Sequence, residues 1–431
     1  MNLLGRRARA ALSALMVVGL LAGCGSGDDD NSPQVRLINA SPDYASLNLT
    51  WADTTIASSV ALGNASAYTS VSSGTSATTL TTTSSATSLL SADRTVADST
   101  SYTVVAYGWS SGLKSAILTE NEATPSSGYA KFRIFNTATD AGSLDVYLTS
   151  ESTSLDSSTP VASSVSGGSF NSAGYLSVTP GTWRLRVTSA SSTTDVRLDL
   201  SSLTLSNQGI YTLILVPTKG GVMVNSIMMQ QASTVTATNT TMARARLVAA
   251  VGATTTPTVS AIVSGTTLSS GTSSPSVGSY VTVTAGTARS LDVKVNGSTL
   301  GTATLDIDAG AELTLLVAGD ASAPTLTVLS DDNRLPTTSY AKVRLVHGSY
   351  GTGNLFLDLD YAALASDVSY GQASSYSTVA ATGTTTSVLD VSSASGKLFS
   401  VSDLNLQSKG IYTAFLLGLS TAPQGVLRKD R

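Results

Sequence analysis

Apolar and polar residues alternate along most of this chain, in bursts of five to six positions. Leu144, Val146 and Leu148 share one face with Asp145 between them. Leu355, Leu357 and Leu359 do the same around Asp358, and Leu47, Leu49 and Trp51 around Asn48. A period of two sends successive side chains to opposite faces, so each burst predicts a half-buried β-strand. Another strand is expected at 56–60, with echoes at 161–165 and 364–368. Four runs are almost wholly apolar, at 102–107, 211–216, 313–317 and 412–417, and these predict strands covered on both faces. Glycine-rich turns separate the runs, and beyond the first 23 residues no stretch sustains a 3.6-residue period.

The pattern repeats. A tyrosine, a valine three positions on and then Gly-Thr recur at Tyr68/Val71/Gly74-Thr75, Tyr175/Val178/Gly181-Thr182, Tyr280/Val283/Gly286-Thr287 and Tyr376/Val379/Gly383-Thr384. Each unit opens on an arginine between apolar neighbours: Arg36, Arg133, Arg246 and Arg344, spaced by 97, 113 and 98 residues. A period near 100 describes an array of domains rather than a solenoid. Six or seven short strands per unit predict an all-β fold of tandem antiparallel β-sandwich domains. Asn207-Gln208-Gly209-Ile210-Tyr211 resembles a tyrosine corner, with looser versions ending at Tyr412 and Tyr102 and Leu313 in the third unit, which favours an immunoglobulin-like topology.

The expected division is a signal peptide at 1–23, a lipidated cysteine and polar tether at 24–32, and sandwich repeats at 33–122, 129–232, 242–332 and 339–431. Linkers rich in Ser, Thr or Pro fall at 120–128, 232–241 and 330–339. The Ser/Thr-rich segment 72–88 is expected to form an edge strand and loop.

The opening Val35-Arg36-Leu37-Ile38-Asn39-Ala40-Ser41-Pro42-Asp43, with the later Leu144-Asp145-Val146-Tyr147, resembles the bacterial domain-of-unknown-function family numbered 4397. The resemblance runs through units one, two and four. Unit three departs most, with Ala249-Ala250-Val251-Gly252 in place of the Asn-Ala-Ser-Pro-Asp turn. It implies a β-sandwich and an envelope location, and it brings no catalytic or binding residues.

The first residues follow a different logic. A basic head with Arg6, Arg7 and Arg9 precedes a short apolar run, too short to span a bilayer and typical of an export signal. Leu21-Ala22-Gly23-Cys24 at its end resembles the lipobox of bacterial lipoproteins. That resemblance implies cleavage between Gly23 and Cys24, acylation of Cys24, and the membrane as a partner through that anchor. Two or three acyl chains hold a protein on a bilayer durably. Gly25 after the cysteine, rather than Asp, favours the outer membrane of a Gram-negative cell.

Removing the head leaves 21 basic against 28 acidic residues, a net charge of −7. Mild acidity without basic patches argues against nucleic acid. Charged residues make up only 12% of the chain, and its one cysteine is committed to lipid, so no disulfide is available and each unit must hold itself by burial.

Candidate chemistry is sparse. Gly108-Trp109-Ser110-Ser111-Gly112 matches the nucleophile-elbow pattern, and His347, the single histidine, follows it in sequence. A strand rather than a helix is expected after Gly112, so a lipid-anchored serine hydrolase is a remote alternative and no catalytic residue is assigned. His347 stands where units one and two have Asn39 and Asn136, a position suited to closing a turn. One histidine without cysteine partners makes no ordinary zinc site. Glu120-Asn121-Glu122 and Asp331-Asp332-Asn333 offer oxygen ligands at two boundaries, but the junction between units two and three has no acid, and no metal or cofactor is expected. Trp51 continues an inward-facing strand, and Trp183 falls at a different place in its unit. Trp109, on an expected loop, is the candidate ligand contact. The leading expectation is a non-enzymatic envelope scaffold with a protein or glycan partner, its units strung like beads; a surface carbohydrate-binding adhesin is the alternative.

Overall fold

The computed structural model describes residues 31–431, and all of it is β-structure joined by turns and three short 3₁₀ segments. The signal segment, Gly23 and Cys24 lie outside the described residues. Among the described residues no helix is long and apolar enough to cross a membrane.

Eight sheets pair into four sandwich units. In unit one the strands are, in order, Gln34–Ala40, Ser46–Trp51, Thr54–Ala61, Thr69–Ser70, Gly74–Thr82, Ser85–Val96, Ser101–Tyr107 and Lys114–Thr119. One sheet has the order 4-1-7-8 and the other 3-2-5-6, and units two, three and four repeat both orders. The fourth strand is split in units two (Ser169–Phe170, Leu176–Val178) and three (Ser276–Val277, Val281–Thr284).

This is not the immunoglobulin order, in which the first strand lies beside the second. Here the first strand pairs in parallel with the seventh in every unit, so each sandwich contains one parallel pair among antiparallel ones. The tyrosine hydrogen bond is nonetheless formed. Tyr102, Tyr211 and Tyr412 hydroxyls accept the backbone N–H of Ala97, Ser206 and Gln407, each at 3.0 Å. The bond secures the connection into the seventh strand, a local task that two different topologies share.

The alternating strands bury their apolar side as expected: Leu47, Leu49 and Trp51 enter the core of unit one, and Leu355, Leu357 and Leu359 that of unit four. The segment 72–88 departs from expectation. Gly74–Thr82 is an interior strand, with Thr78 and Leu80 buried, and only Ser85–Val96 lies at the edge. The linker at 232–241 contains a ninth strand, Val235–Thr238, paired with Val224–Gln230.

The apolar seventh strands are covered on both faces, and the reason lies in how the units meet. In unit one Val104 and Ala106 point into the unit's own core. Val105 and Tyr107 point the other way, into a second core shared with Phe135, Ile214, Val216, Ile227 and Met229 of unit two. Units three and four share an equivalent core of Val248, Leu316, Val346, Phe415 and Leu417. The 4-1-7-8 sheets therefore pack face to face in two pairs, which replaces the beads expected from the linkers.

Candidate functional site at the joints between units

The arginines that mark each repeat face these shared cores. Each stands opposite a threonine across the parallel strand pair: Arg36 and Thr103, Arg133 and Thr212, Arg246 and Thr314, Arg344 and Thr413. Each guanidinium also lies over the repeat tyrosine of its own unit, at 4.4 Å for Tyr68, 4.3 Å for Tyr175, 4.5 Å for Tyr280 and 4.6 Å for Tyr376. Cation–π contact of this kind strengthens when both groups leave water.

A fourth position follows the eighth strand: Glu120, Gln231, Asp331 and Asp430, whose backbone N–H in each case donates to the start of the seventh strand. Glu120 receives Arg36 at 3.2 Å, the Tyr68 hydroxyl at 2.8 Å, Thr103, and the Ala232 N–H of unit two at 2.7 Å. Arg36 also donates to the Ser233 carbonyl at 2.7 Å. In units three and four the partners are exchanged. Asp331 accepts from Thr314 of its own unit at 2.6 Å and pairs with Arg344 of the next. Asp430 accepts from Thr413 of its own unit at 2.6 Å and pairs with Arg246 of unit three at 2.5 Å. A buried ion pair repays its desolvation only when its remaining bonds are filled, as they are here. Unit two has Gln231 instead of an acid, and its amide bonds the backbone of Glu122 at 2.9 and 3.0 Å. Burial therefore pushes the Arg133 guanidinium below its ordinary value, although Tyr175, Glu122 and Glu120 oppose the shift.

The two pairs meet at a hub. The hairpin between strands Ile210–Pro217 and Val224–Gln230 of unit two is buried, with Val222 and Met223 fully enclosed. The Thr218 hydroxyl donates to the Gly310 carbonyl at 3.1 Å, and the Asn333 N–H to the Gly220 carbonyl at 3.2 Å. Arg431 donates to the Asp140 carbonyl at 2.6 Å. Glycine is required at the tip: Gly221 has φ +86°, and a Cβ there would lie 2.5 Å from the Arg334 nitrogen. Glu312 is enclosed in the hub. Asn333 donates to it at 2.7 Å, but Arg244 stays at 3.6 Å and its other oxygen accepts no hydrogen bond. Burial raises its pKa to about 7 against the opposing pull of Arg244, Asn333, Arg197 and Arg431.

Trp109 belongs to this hub. It follows the seventh strand as expected, but it is only 9% exposed. Its indole N–H donates to Asp140, and the Arg334 guanidinium covers its ring at 4.9 Å. It is therefore a joint residue and not a free stacking platform. Trp51 is buried in its core, and the Trp183 N–H donates to the Thr179 carbonyl at 3.1 Å.

The nucleophile-elbow match does not assemble. Ser110 opens a 3₁₀ turn, Ser110–Gly112, leading into strand Lys114–Thr119, and its hydroxyl donates to Asp43 at 2.8 Å. His347 is bound within unit four. Its Nε2 donates to the Gly353 carbonyl at 2.7 Å and its Nδ1 accepts the Ser349 N–H at 3.2 Å, which sets the neutral tautomer. Asn39 and Asn136 make the equivalent turn bonds in units one and two. Burial lowers the His347 pKa, only partly opposed by the Gly353 bond. The boundary acids considered as calcium ligands are engaged by cations: Glu120 by Arg36, Glu122 by Lys131, Asp331 by Arg344, and Asp332 by Arg334 and Lys342.

One strand order and one arginine–tyrosine stack, four times over, define the unit. A family model described as a domain of unknown function, DUF4397, matches residues 33–147, 243–358 and 341–431. The chain belongs to that family. The DUF4397 matches cover units one, three and four and reach only the second strand of unit two, which corrects the ranking expected from the turn sequences. Unit three lacks the Asn-Ala-Ser-Pro-Asp turn but keeps arginine, threonine, tyrosine and acid in place. Unit two keeps the turn position but lacks the acid and adds a strand. No curated protein matches the chain.

Sequence reading found the arginines and tyrosines as register marks without their purpose. It missed the threonines and Asp430, and it weighed Glu120 and Asp331 only as oxygen ligands for calcium, although both positions recur at fixed places relative to the seventh and eighth strands.

Proposed function

We propose that this protein is a non-catalytic, lipid-anchored scaffold of the bacterial cell envelope, held through Cys24 on the outer membrane. The observation that carries this reading is where the chain's few charged side chains go. Arg36, Glu120, Arg246, Asp331, Arg344 and Asp430 are buried in joints between units, where they fix geometry rather than face a substrate. The anchor rests on Leu21-Ala22-Gly23-Cys24. Asn31 docks on unit one, its side-chain oxygen accepting from the Ser99 hydroxyl at 3.1 Å. Seven residues from Cys24 to Asp30 then reach at most about 25 Å. The body is held close to the bilayer, with the Ser99 turn on the membrane side.

The test is metabolic labelling with an alkyne fatty acid, followed by membrane fractionation of wild type and Cys24→Ala. Labelled, membrane-bound wild type with an unlabelled, released variant supports the anchor. A variant that stays on the membrane contradicts it.

A further inference from the structure

Units one, two and four, with the segment 335–338, enclose a cleft of about 640 Å³ beside Trp109. Ligand sites favour such junctions, and the volume lies in their usual range. Its lining is about equally polar and apolar, with Trp109, Leu335 and Pro336 supplying the hydrocarbon. Ser111, Ser143, Thr337 and Thr338 line it together with four glycines, so hydroxyl and main-chain groups make up the polar part of the wall. At the rim stand Lys114 and Lys409, both exposed, and neither forms an ion pair or side-chain hydrogen bond with another described residue. The carboxylate at the floor, Asp140, is occupied by the Trp109 N–H.

We propose that this cleft binds a short acidic oligosaccharide, its hydroxyls bonded to the Ser, Thr and backbone groups and its carboxylates to Lys114 and Lys409. A sugar matches such a mixed wall, its hydroxyls meeting the many weak donors and acceptors and the C–H faces of its rings meeting Leu335 and Pro336. A nucleobase would need an open aromatic face, and Arg334 covers that of Trp109. The two lysines select a ligand with negative charge. The inference goes beyond the scaffold reading and does not depend on the anchor.

Calorimetry of the mature chain with trigalacturonate, maltotriose and inorganic phosphate tests it. Trigalacturonate is expected to bind, maltotriose at least tenfold more weakly, and phosphate without measurable heat. Lys114→Gln/Lys409→Gln should weaken trigalacturonate at least tenfold while leaving Tm unchanged, because both side chains are exposed. Ser143→Tyr, which fills the cleft, should abolish binding. Equal affinity for maltotriose overturns the acidic class, and phosphate bound as well as the sugar reduces the site to a simple anion site. Absence of trigalacturonate binding, or binding undiminished in the variants, overturns the site itself.

Discussion

Asp331 and Asp430 hold the same place in units three and four, and each pairs with the arginine of the other's unit. Asp331 meets Arg344, Asp430 meets Arg246 at 2.5 Å, and all four side chains are at most 2% exposed. The exchange is what a two-fold dimer interface produces, here built within one chain. It makes the joint between the units as specific as a core.

Removing one partner leaves the other as a buried, unpaired charge, which costs about 3–5 kcal/mol. Asp430→Ala should therefore destabilise units three and four by that amount in urea unfolding. Arg246→Met/Asp430→Leu should recover most of the loss, because an apolar pair leaves no orphaned charge. A single variant within about 0.5 kcal/mol of wild type would show that the pair is not buried in solution.

Much of the unit was legible in advance. Period-two alternation located the strands of Leu47, Leu144 and Leu355, and the apolar runs located the buried seventh strands. Strand order was not legible, because Tyr102, Tyr211 and Tyr412 make their bond whichever sheet neighbours follow. The pairing of units was hidden for a related reason. A strand buried on both faces reads the same whether its second cover comes from its own domain or the next. Only Val105, Ile214, Leu316 and Phe415, seen in space, tell the two apart. Trp109 sits on the expected loop but was read as exposed, because a loop in an isolated domain is exposed, whereas this one meets Asp140 of unit two and Arg334 of the segment before unit four.

The hub hairpin depends on its glycines. Gly221→Ala places a Cβ against the Arg334 backbone at a positive φ, and Gly220→Ala meets the Gly310 carbonyl at 2.4 Å. Either variant should separate the two pairs while leaving each unit folded. Small-angle scattering should show a larger radius of gyration, with unchanged far-ultraviolet circular dichroism. An unchanged radius would contradict the hub.

Glu312 makes stability depend on pH. Its folded pKa, raised by burial to about 7, exceeds the ordinary value of 4.5, so the folded state holds the proton more tightly. Its contribution is present in full below about pH 4.5 and is lost as pH rises through 7. His347 acts oppositely, since its lowered pKa costs stability as pH falls below 6.5. The two overlap in wild type, so the measurement is a difference. Glu312→Gln should gain on the order of 2 kcal/mol over wild type between pH 5 and pH 8. A gap that does not change with pH would show that Glu312 does not titrate there.

His347 does the work of an asparagine. His347→Asn should stay within about 1 kcal/mol of wild type, and His347→Leu, which leaves the Ser349 N–H without its acceptor, should lose about 1–3 kcal/mol. Nitrogen NMR at neutral pH should show an Nε2–H tautomer. A protonated ring at pH 7 would contradict the turn-closing geometry.

The central claim is that four DUF4397-type units form one body rather than a flexible string. Small-angle scattering of the soluble Cys24→Ala chain without its signal segment tests it most directly. A compact chain of this size has a radius of gyration of about 22 Å. A value of about 22–25 Å, unchanged between low and high salt, is the predicted result. A value above about 30 Å, with the profile of beads on a tether, would contradict the account.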